Sequence, residues 1–169
     1  MDQTILDAVI GLRAPWLTPL IVAFTKLTGP TFMLIYAAIF SVFNRKHFVP
    51  VIAGVGLANL TSHIWKKVIE RPRPDAALHL VEETNFSMPS GHAVGATAFA
   101  VVIGLAIGMG AHKWWSLAVW ILALLVGLSR LYVGVHWPSD VVIGWLLGAF
   151  VAGGVYYGVT TSSNRLRRH

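Results

Sequence analysis

The chain has 169 residues, of which 56% are hydrophobic and 12% are charged. This apolar share exceeds the ~45–50% of an average soluble domain, so the composition argues against a soluble protein and indicates a single membrane domain. The absence of cysteine excludes disulfides, thiolate catalysis and cysteine-ligated metal sites. The net charge of +6 favours anionic partners, but the basic residues lie at the ends of apolar runs, which argues against nucleic acid.

The N-terminal residues 1–28 have the pattern of a helix that lies on the membrane surface. They lack the basic stretch and long apolar run of a cleaved signal peptide. Apolar residues recur there at helical spacing beside Asp2, Asp7 and Arg13, so we expect an interfacial amphipathic segment. The alternative is a poorly formed span over residues 16–28.

Five apolar runs follow, and polar or basic residues separate them. Four approach the ~20 residues that cross a bilayer as a helix, and the first is shorter but has a defined start and stop. The runs are 31–43, 48–65, 93–110, 114–128 and 141–159. We therefore predict an all-α integral membrane helical bundle with about five transmembrane helices, in which residues 29–159 form the core and residues 160–169 a basic tail.

The polar connectors differ between the two sides of the membrane. All seven acidic residues fall on one side, together with residues 66–92 and 129–140, whereas the connectors 44–47 and 110–113 and the tail carry basic residues and no acid. By the positive-inside rule the second side is cytoplasmic. A small chain of this kind is typical of a bacterial inner membrane, so we expect the plasma membrane, with the acid-bearing side facing outward.

Polar clusters on the acid-bearing side favour phosphate chemistry, because charges are costly near hydrocarbon and are functional candidates there. Ser90 is a natural N-cap, and the N–H groups around Gly91 and His92 would point outward with the helix dipole behind them. The cations that could neutralise a phosphate there are Lys66, Arg73 and Arg130. The plainer alternative is that Pro-Ser-Gly only caps a helix and the cations only mark the interface.

His136 and Asp140 have the spacing of an acid–histidine pair. Asp140 on the first turn of the last helix can accept a hydrogen bond from one ring nitrogen of His136, which leaves the other nitrogen as a nucleophile. His92 is then free to protonate the leaving oxygen. No metal is expected, because a pocket lined by lysine and arginine repels a divalent cation. The alternative metal site would use His92, His136 and Asp140, with His63 or His79 recruited.

Two further pairs of charged residues lie beside these clusters. Lys67 and Arg71 either bind headgroups or lie at the interface with their charges in water. Glu82 and Glu83 either shape headgroup choice beside the cationic pocket or form an exposed acidic loop, and we expect the exposed loop.

Together the clusters resemble the signature of the type 2 phosphatidic acid phosphatase superfamily. Its first motif, Lys-x6-Arg-Pro, is present at 66–74, its second, Pro-Ser-Gly-His, at 89–92, and its third, Ser-Arg-x5-His-x3-Asp, at 129–140. Three such motifs in this order are highly specific. The similarity is to the membrane lipid phosphatase branch, which includes bacterial undecaprenyl pyrophosphate and phosphatidylglycerol phosphate phosphatases.

The resemblance implies a role for each motif residue. His136 would be the nucleophile, His92 the general acid and Asp140 the group that orients His136. The implied phosphate ligands are Lys66, Arg73, Ser90, Gly91 and Arg130. The resemblance also implies an all-α fold with a site that opens on the outer face. The chain departs from the many bacterial members that have six spans, since it has fewer clear ones.

We therefore expect a lipid phosphatase that acts through a phosphohistidine, without a metal or another cofactor. Candidate substrates are polyprenyl pyrophosphate, phosphatidylglycerol phosphate and phosphatidic acid, so the expected partners are a phosphorylated lipid and the bilayer. Two alternatives stay open, a lipid phosphotransferase with the same intermediate and a non-catalytic transporter or scaffold. The confinement of charge to span ends argues against a transporter.

Overall fold

Helices form the regular structure of residues 1–107 and 113–166, the parts of the chain that the computed structural model describes. Within these ranges there are α-helices and two short 3-10 turns, and no β-strand. The helices are α1 (Asp2–Ile10), α2 (Thr18–Leu27), α3 (Pro30–Phe43), α4 (Phe48–Ile69), α5 (Gly91–Ile107), α6 (Lys113–Tyr132) and α7 (Pro138–Leu166). The predicted all-α class is confirmed.

The part of the chain that the structure describes does not confirm the five predicted membrane spans. In the described part of the chain, three segments are long and apolar enough to cross a bilayer, namely Arg45–Ile69, Trp114–Tyr132 and Pro138–Ser163. The helices α2 and α3 also qualify if they form one broken span or a re-entrant loop, with a bend of 59° between them. Since α5 is described over only 17 residues, the count of five is not confirmed. The predicted boundary between residues 28 and 29 coincides with the bend.

The helices are longer than the apolar runs from which they were predicted. As a result, polar residues of the motifs lie in the first or last turns of helices. Lys66 lies in the last turn of α4, Arg130 in the last turn of α6 and Asp140 in the first turn of α7. Residues 160–166 of the predicted tail continue α7. Outside the described residues lie 108–112, with most of the predicted turn at 110–113, and 167–169 of the tail.

The central helix of the bundle is α5, which packs against α3, α4, α6 and α7. A small residue lets α5 and α7 approach closely, because a Cβ on Gly148 would lie 2.4 Å from the carbonyl oxygen of Val94. At their starts the two helices are also hydrogen-bonded, since the Ser90 N–H donates to the Asp140 carbonyl at 3.0 Å. The second and third motifs are therefore held side by side.

The N-terminal helices α1 and α2 pack against the end of the bundle where α5 and α7 begin. α1 contacts α6 and α7 and buries Leu6, while α2 contacts α6. Just after α1, the Arg13 guanidinium donates to the carbonyls of Tyr132 at 2.9 Å and Leu78 at 2.7 Å. Residues 1–28 are thus fastened to the connectors that carry the motifs.

Candidate active site

The three motifs meet at the end of the bundle where α4 and α6 stop and α5 and α7 begin. Arg73 from the first motif places its Nη1 3.2 Å from Nε2 of His136 in the third. Lys66 donates from Nζ to the carbonyls of Phe86 at 2.6 Å and Ser87 at 3.2 Å, just before the second motif. Residues predicted from separate stretches of sequence therefore share one site.

The His136 ring is buried between a carboxylate and a guanidinium. Its Nδ1 lies 3.4 Å from Oδ2 of Asp140, and both side chains are almost fully excluded from solvent. With the proton on Nδ1, the ring donates to Asp140 and keeps a lone pair on Nε2, which accepts from Arg73. The ring nitrogen that faces the cationic pocket is therefore the one available for nucleophilic attack.

Both oxygens of the Asp140 carboxylate accept further hydrogen bonds. Oδ2 accepts from the Ser87 hydroxyl and, at 2.8 Å, from the Trp137 N–H, while Oδ1 accepts from Arg71 Nη1 at 2.7 Å. The contact with Trp137 forms because α7 starts at Pro138 and the Asp140 side chain turns back over its first turn. The carboxylate that faces His136 is thus fixed in orientation.

Burial lowers the pKa of His136 well below its ordinary value of 6.5, and the charges of Arg73, Arg130 and Lys66 lower it further. A histidine is nucleophilic only as the neutral ring, so a lowered pKa keeps His136 in the form that the predicted role requires as the pH falls. We expect the ring to become protonated only below pH 6.5. NMR titration of histidine-labelled protein measures this directly, and the signal is assigned by its absence in His136→Gln. A midpoint at or above the ordinary value would contradict the expectation.

Glu83 lies between the two arginines of the cationic pocket. Its Oε2 accepts from Arg73 Nη2 at 3.3 Å, and its Oε1 accepts from Arg130 Nη2. Arg130 is buried and also donates from Nη1 to the Thr25 hydroxyl at 2.7 Å. The expected exposed loop is wrong for Glu83, because its side chain is only 19% exposed and is paired with both cations, whereas Glu82 is exposed as expected.

Some buried polar atoms of the site have spare hydrogen-bonding capacity. Among the described residues, Ser90 Oγ and Arg130 Nε are buried without a partner. Buried polar groups are nearly always paired, so unpaired ones indicate a ligand or water. A Cβ on Gly91 would make only ordinary contacts, 3.5 Å or more from its neighbours, so packing alone does not require this glycine. An oxyanion at either atom would supply the acceptor that it lacks.

His92 lines a cavity that adjoins the cationic pocket, since Glu83 and Arg130 also line it. The cavity has a volume of about 620 Å³ and lies between the bend that joins α2 to α3, residues 80–83, and the side chains of His92 and Arg130. His92 Nε2 lies 3.2 Å from the carbonyl oxygen of Thr25 and donates to it when protonated. The predicted acid is therefore placed where a leaving group could enter, and His136 is placed deeper.

Sequence reasoning missed Ser87, Thr25 and Asp2 in the hydrogen-bond network of the site, and it left the role of Arg71 open. Ser87 and Arg71 bond to Asp140, Thr25 bonds to Arg130, and Asp2 bonds to Arg71. Thr25 and Asp2 come from the segment that we expected to lie on the membrane surface. The available signals were weak, since Arg71 is one more cation in a basic cluster and the other three stand outside every motif.

Comparison with known proteins gives a consistent family. A family model described as the PAP2 superfamily matches residues 47–164. Phosphatidylglycerophosphatase B of Bacillus subtilis is 34% identical over 158 residues, which cover 87% of this chain and 77% of that protein. The undecaprenyl-diphosphatase of Sulfolobus acidocaldarius is 37% identical over 115 residues, which cover 64% of this chain and 53% of that protein.

A solved structure agrees with these relatives. The crystal structure of a transmembrane PAP2-type phosphatidylglycerolphosphate phosphatase from Bacillus subtilis superposes with a TM-score of 0.76 at 30% identity, and the match covers 97% of this chain and 85% of that one. The family match contains all three motifs, and the resemblance drawn from them is confirmed. The chain belongs to the PAP2 superfamily and is a membrane phosphatase.

Proposed function

We propose that the protein hydrolyses a phosphomonoester or pyrophosphate of a membrane lipid through a phosphohistidine on His136, without a metal. The observation that carries this proposal is the position of the His136 ring. One nitrogen is directed at Asp140 and the other at Arg73, at 3.4 Å and 3.2 Å. This arrangement supplies an oriented nucleophile inside a cationic pocket.

The reaction has two steps in this proposal. First, the lone pair of His136 Nε2 attacks phosphorus in line, the bond to the leaving oxygen breaks with its electron pair on oxygen, and His92 protonates that oxygen. Second, the neutral His92 takes a proton from water as the water oxygen attacks the phosphoryl group. The P–N bond then breaks and returns its electron pair to His136. The net products are the dephosphorylated lipid and inorganic phosphate.

Charge in the pocket supports a phosphate substrate and a mechanism without metal. Lys66, Arg73 and Arg130 supply three positive charges around the site, and Glu83 offsets one of them. The fork of an arginine suits phosphate oxygens where a phosphate takes the place of Glu83. Together the three cations stabilise negative charge on the phosphoryl group and disfavour a divalent cation nearby. Ser90 and Gly91 complete the proposed cradle at the start of α5.

The surroundings of the site support a lipid. Its residues lie at the ends of apolar helices whose outer faces expose large hydrophobic side chains, so a substrate can keep its tail in the bilayer while its headgroup enters the pocket. The names of the two curated relatives support phosphatidylglycerol phosphate and polyprenyl pyrophosphate, and phosphatidic acid remains a third candidate. The distribution of acidic and basic connectors supports the plasma membrane, with the site facing outward.

The test is phosphate release by the purified protein in EDTA, with each of the three lipids supplied in turn. We expect release from at least one lipid, inhibition by vanadate, and no stimulation by added magnesium. Loss of activity in EDTA that magnesium restores would overturn the metal-free mechanism. Transfer of phosphate to an added alcohol, with no release to water, would identify a phosphotransferase instead.

Glu83→Gln is expected to strengthen inhibition by inorganic phosphate roughly tenfold, because Glu83 takes up donors of Arg73 and Arg130 that a phosphate would use. Glutamine keeps the size of the side chain and removes its charge. The inhibition constant for phosphate measures the change, and Glu82→Gln is the matched control in the same connector. Weaker phosphate binding in Glu83→Gln would show that Glu83 instead holds the arginines in place.

A further inference from the structure

A chain of ion pairs leads from the N-terminal helix to the carboxylate that orients His136. Arg71 donates from Nη1 to Asp140 Oδ1 and from Nη2 to Asp2 Oδ2, both at 2.7 Å. Asp2 lies in the first turn of α1, and Asp140 lies in the first turn of α7. Neither Arg71 nor Asp2 lines the cavity that His92 faces. The bond to Asp140 links Arg71 to the carboxylate that faces His136, beside contacts of Arg71 with Ser139 and Trp137.

The contact with Arg71 restricts rotation of the Asp140 carboxylate. Oδ2 accepts from Ser87, Trp137 and His136, whereas the bond that the structure gives Oδ1 comes from Arg71. Without Arg71, Oδ1 would be a buried acceptor with no donor, and the carboxylate could turn to share its remaining donors. Such a turn would move Oδ2 away from Nδ1 of His136, a contact that is already long at 3.4 Å.

Several contacts hold Arg71 in this position. Its guanidinium lies 5.7 Å from the centre of the Trp137 ring, a cation–π distance. Glu70 ends α4 in the left-handed conformation with φ of 50°, which turns the chain so that Arg71 leaves the helix direction. Its Nη1 also donates to the Ser139 hydroxyl at 2.7 Å. Arg71 is therefore a fixed side chain and not a mobile interfacial cation.

Asp2 completes the arrangement from α1. Its Oδ1 accepts from the Ser139 N–H at 3.1 Å, and its Oδ2 accepts from both Arg71 and the Ser139 hydroxyl. Burial acts to raise the pKa of Asp2, but the hydrogen bonds from Ser139 and Arg71 outweigh it, and the pKa lies below its ordinary value. Asp2 is thus ionised at neutral pH, and it ties α1 to Arg71 and to the first turn of α7.

We propose that Arg71 and Asp2 are positioning residues for the reaction, with Asp2 holding Arg71 and Arg71 holding Asp140 so that its Oδ2 faces His136. This inference rests on the proposed roles of Asp140 and His136. It assigns the N-terminal helix a part in turnover, in place of membrane attachment alone. It also gives Arg71 a function that neither headgroup binding nor a position at the interface supplies.

The test compares kcat, KM and the inhibition constant for inorganic phosphate of purified Arg71→Gln, Arg71→Lys and Asp2→Asn with those of the unaltered protein. We expect Arg71→Gln to lower kcat by about 10- to 100-fold and Asp2→Asn by several-fold, with KM and phosphate inhibition changed less than about twofold. Arg71→Lys should recover part of the loss, because an ammonium can reach one carboxylate but lacks the fork that bridges two. Asp7→Asn is the matched control, since Asp7 lies on the same helix and accepts from Gln3 at 2.7 Å.

The double variant Asp2→Asn with Arg71→Gln tests the order of the link. If Asp2 acts through Arg71, the double variant should have the kcat of Arg71→Gln alone. Additive losses would overturn that step. An unchanged kcat in Arg71→Gln, or a parallel weakening of inhibition by inorganic phosphate, would overturn the positioning role as a whole. Absence of phosphate release from the unaltered protein would count against the proposed function instead, so the two failures are distinguishable.

Discussion

His136→Ala is expected to lower phosphate release by at least about a thousandfold, the size of effect seen when a nucleophile is removed from a catalytic unit. Alanine has no nitrogen to attack phosphorus. His92 is not oriented by a carboxylate as His136 is, because its Nε2 lies 3.2 Å from the carbonyl oxygen of Thr25, and we do not expect it to replace the nucleophile. The release rate of purified protein on the best lipid of the panel measures the loss.

Two comparisons make the His136 result interpretable. His136→Gln fills more of the buried space than alanine and separates loss of the nucleophile from loss of packing, and both variants should be inactive. His63→Ala removes an exposed histidine from α4 and should keep full activity. In the unaltered protein, a phosphate label that is stable to alkali and labile to acid should be trapped, and neither His136 variant should carry it. Retention of the label in His136→Ala would place the phosphoenzyme on another residue.

The motifs predicted the part of the site around His136 and Asp140. They could do so because residues a few positions apart at the start of a helix lie close together whatever the rest of the fold is. His136 and Asp140 are four residues apart, and the start of α7 at Pro138 is enough to bring them together. The grouping of Lys66 and Arg73 with these two could be predicted from topology alone, since alternate connectors share a side of the membrane. No tertiary contact had to be known in advance.

The outer part of the site depends on contacts that no spacing encodes. Thr25 is 105 residues from Arg130, and Asp2 is 69 residues from Arg71. Glu83 resembles any acid in a polar connector until its position between Arg73 and Arg130 is known. These residues reach the site only because α1, α2 and residues 80–83 pack over the motifs. That packing cannot be predicted from composition or from motif spacing.

The number of spans was difficult to predict for a related reason. Hydropathy measures the apolar content of a stretch but not a change of direction within it. Pro30 begins α3 and cannot donate a backbone hydrogen bond to α2, so the helix breaks there and the two halves meet at 59°. The bend lines the cavity that His92 faces. The sequence placed the boundary between the interfacial segment and the membrane core there, at residues 28 and 29, and the structure makes the same residues part of the wall of the site.

Asp140→Asn is expected to lower kcat by about 10²- to 10⁴-fold while KM and the inhibition constant for inorganic phosphate change little. Asparagine replaces one carboxylate oxygen by a donor, yet both oxygens of Asp140 accept hydrogen bonds in this structure. An amide NH₂ in place of Oδ1 would meet the guanidinium of Arg71. In place of Oδ2 it would meet the Trp137 N–H and the Nδ1 of His136. In that case the amide would favour the tautomer with its proton on Nε2, where the nucleophilic lone pair is needed.

Comparing the effect of Asp140→Asn on kcat with its effect on KM and inhibitor binding distinguishes a role of Asp140 in turnover from a role in phosphate binding. The residues of the proposed phosphate cradle are unchanged in Asp140→Asn, so the affinity for inorganic phosphate should survive even where turnover is lost. Asp75→Asn is the matched control on the same side of the membrane, because the bond that the structure gives the Asp75 carboxylate is a local one, from the Ala77 N–H at 2.9 Å, and it should retain full kcat. If Asp140→Asn raised KM and weakened phosphate binding with kcat intact, the carboxylate would belong to the binding of phosphate and not to the orientation of His136.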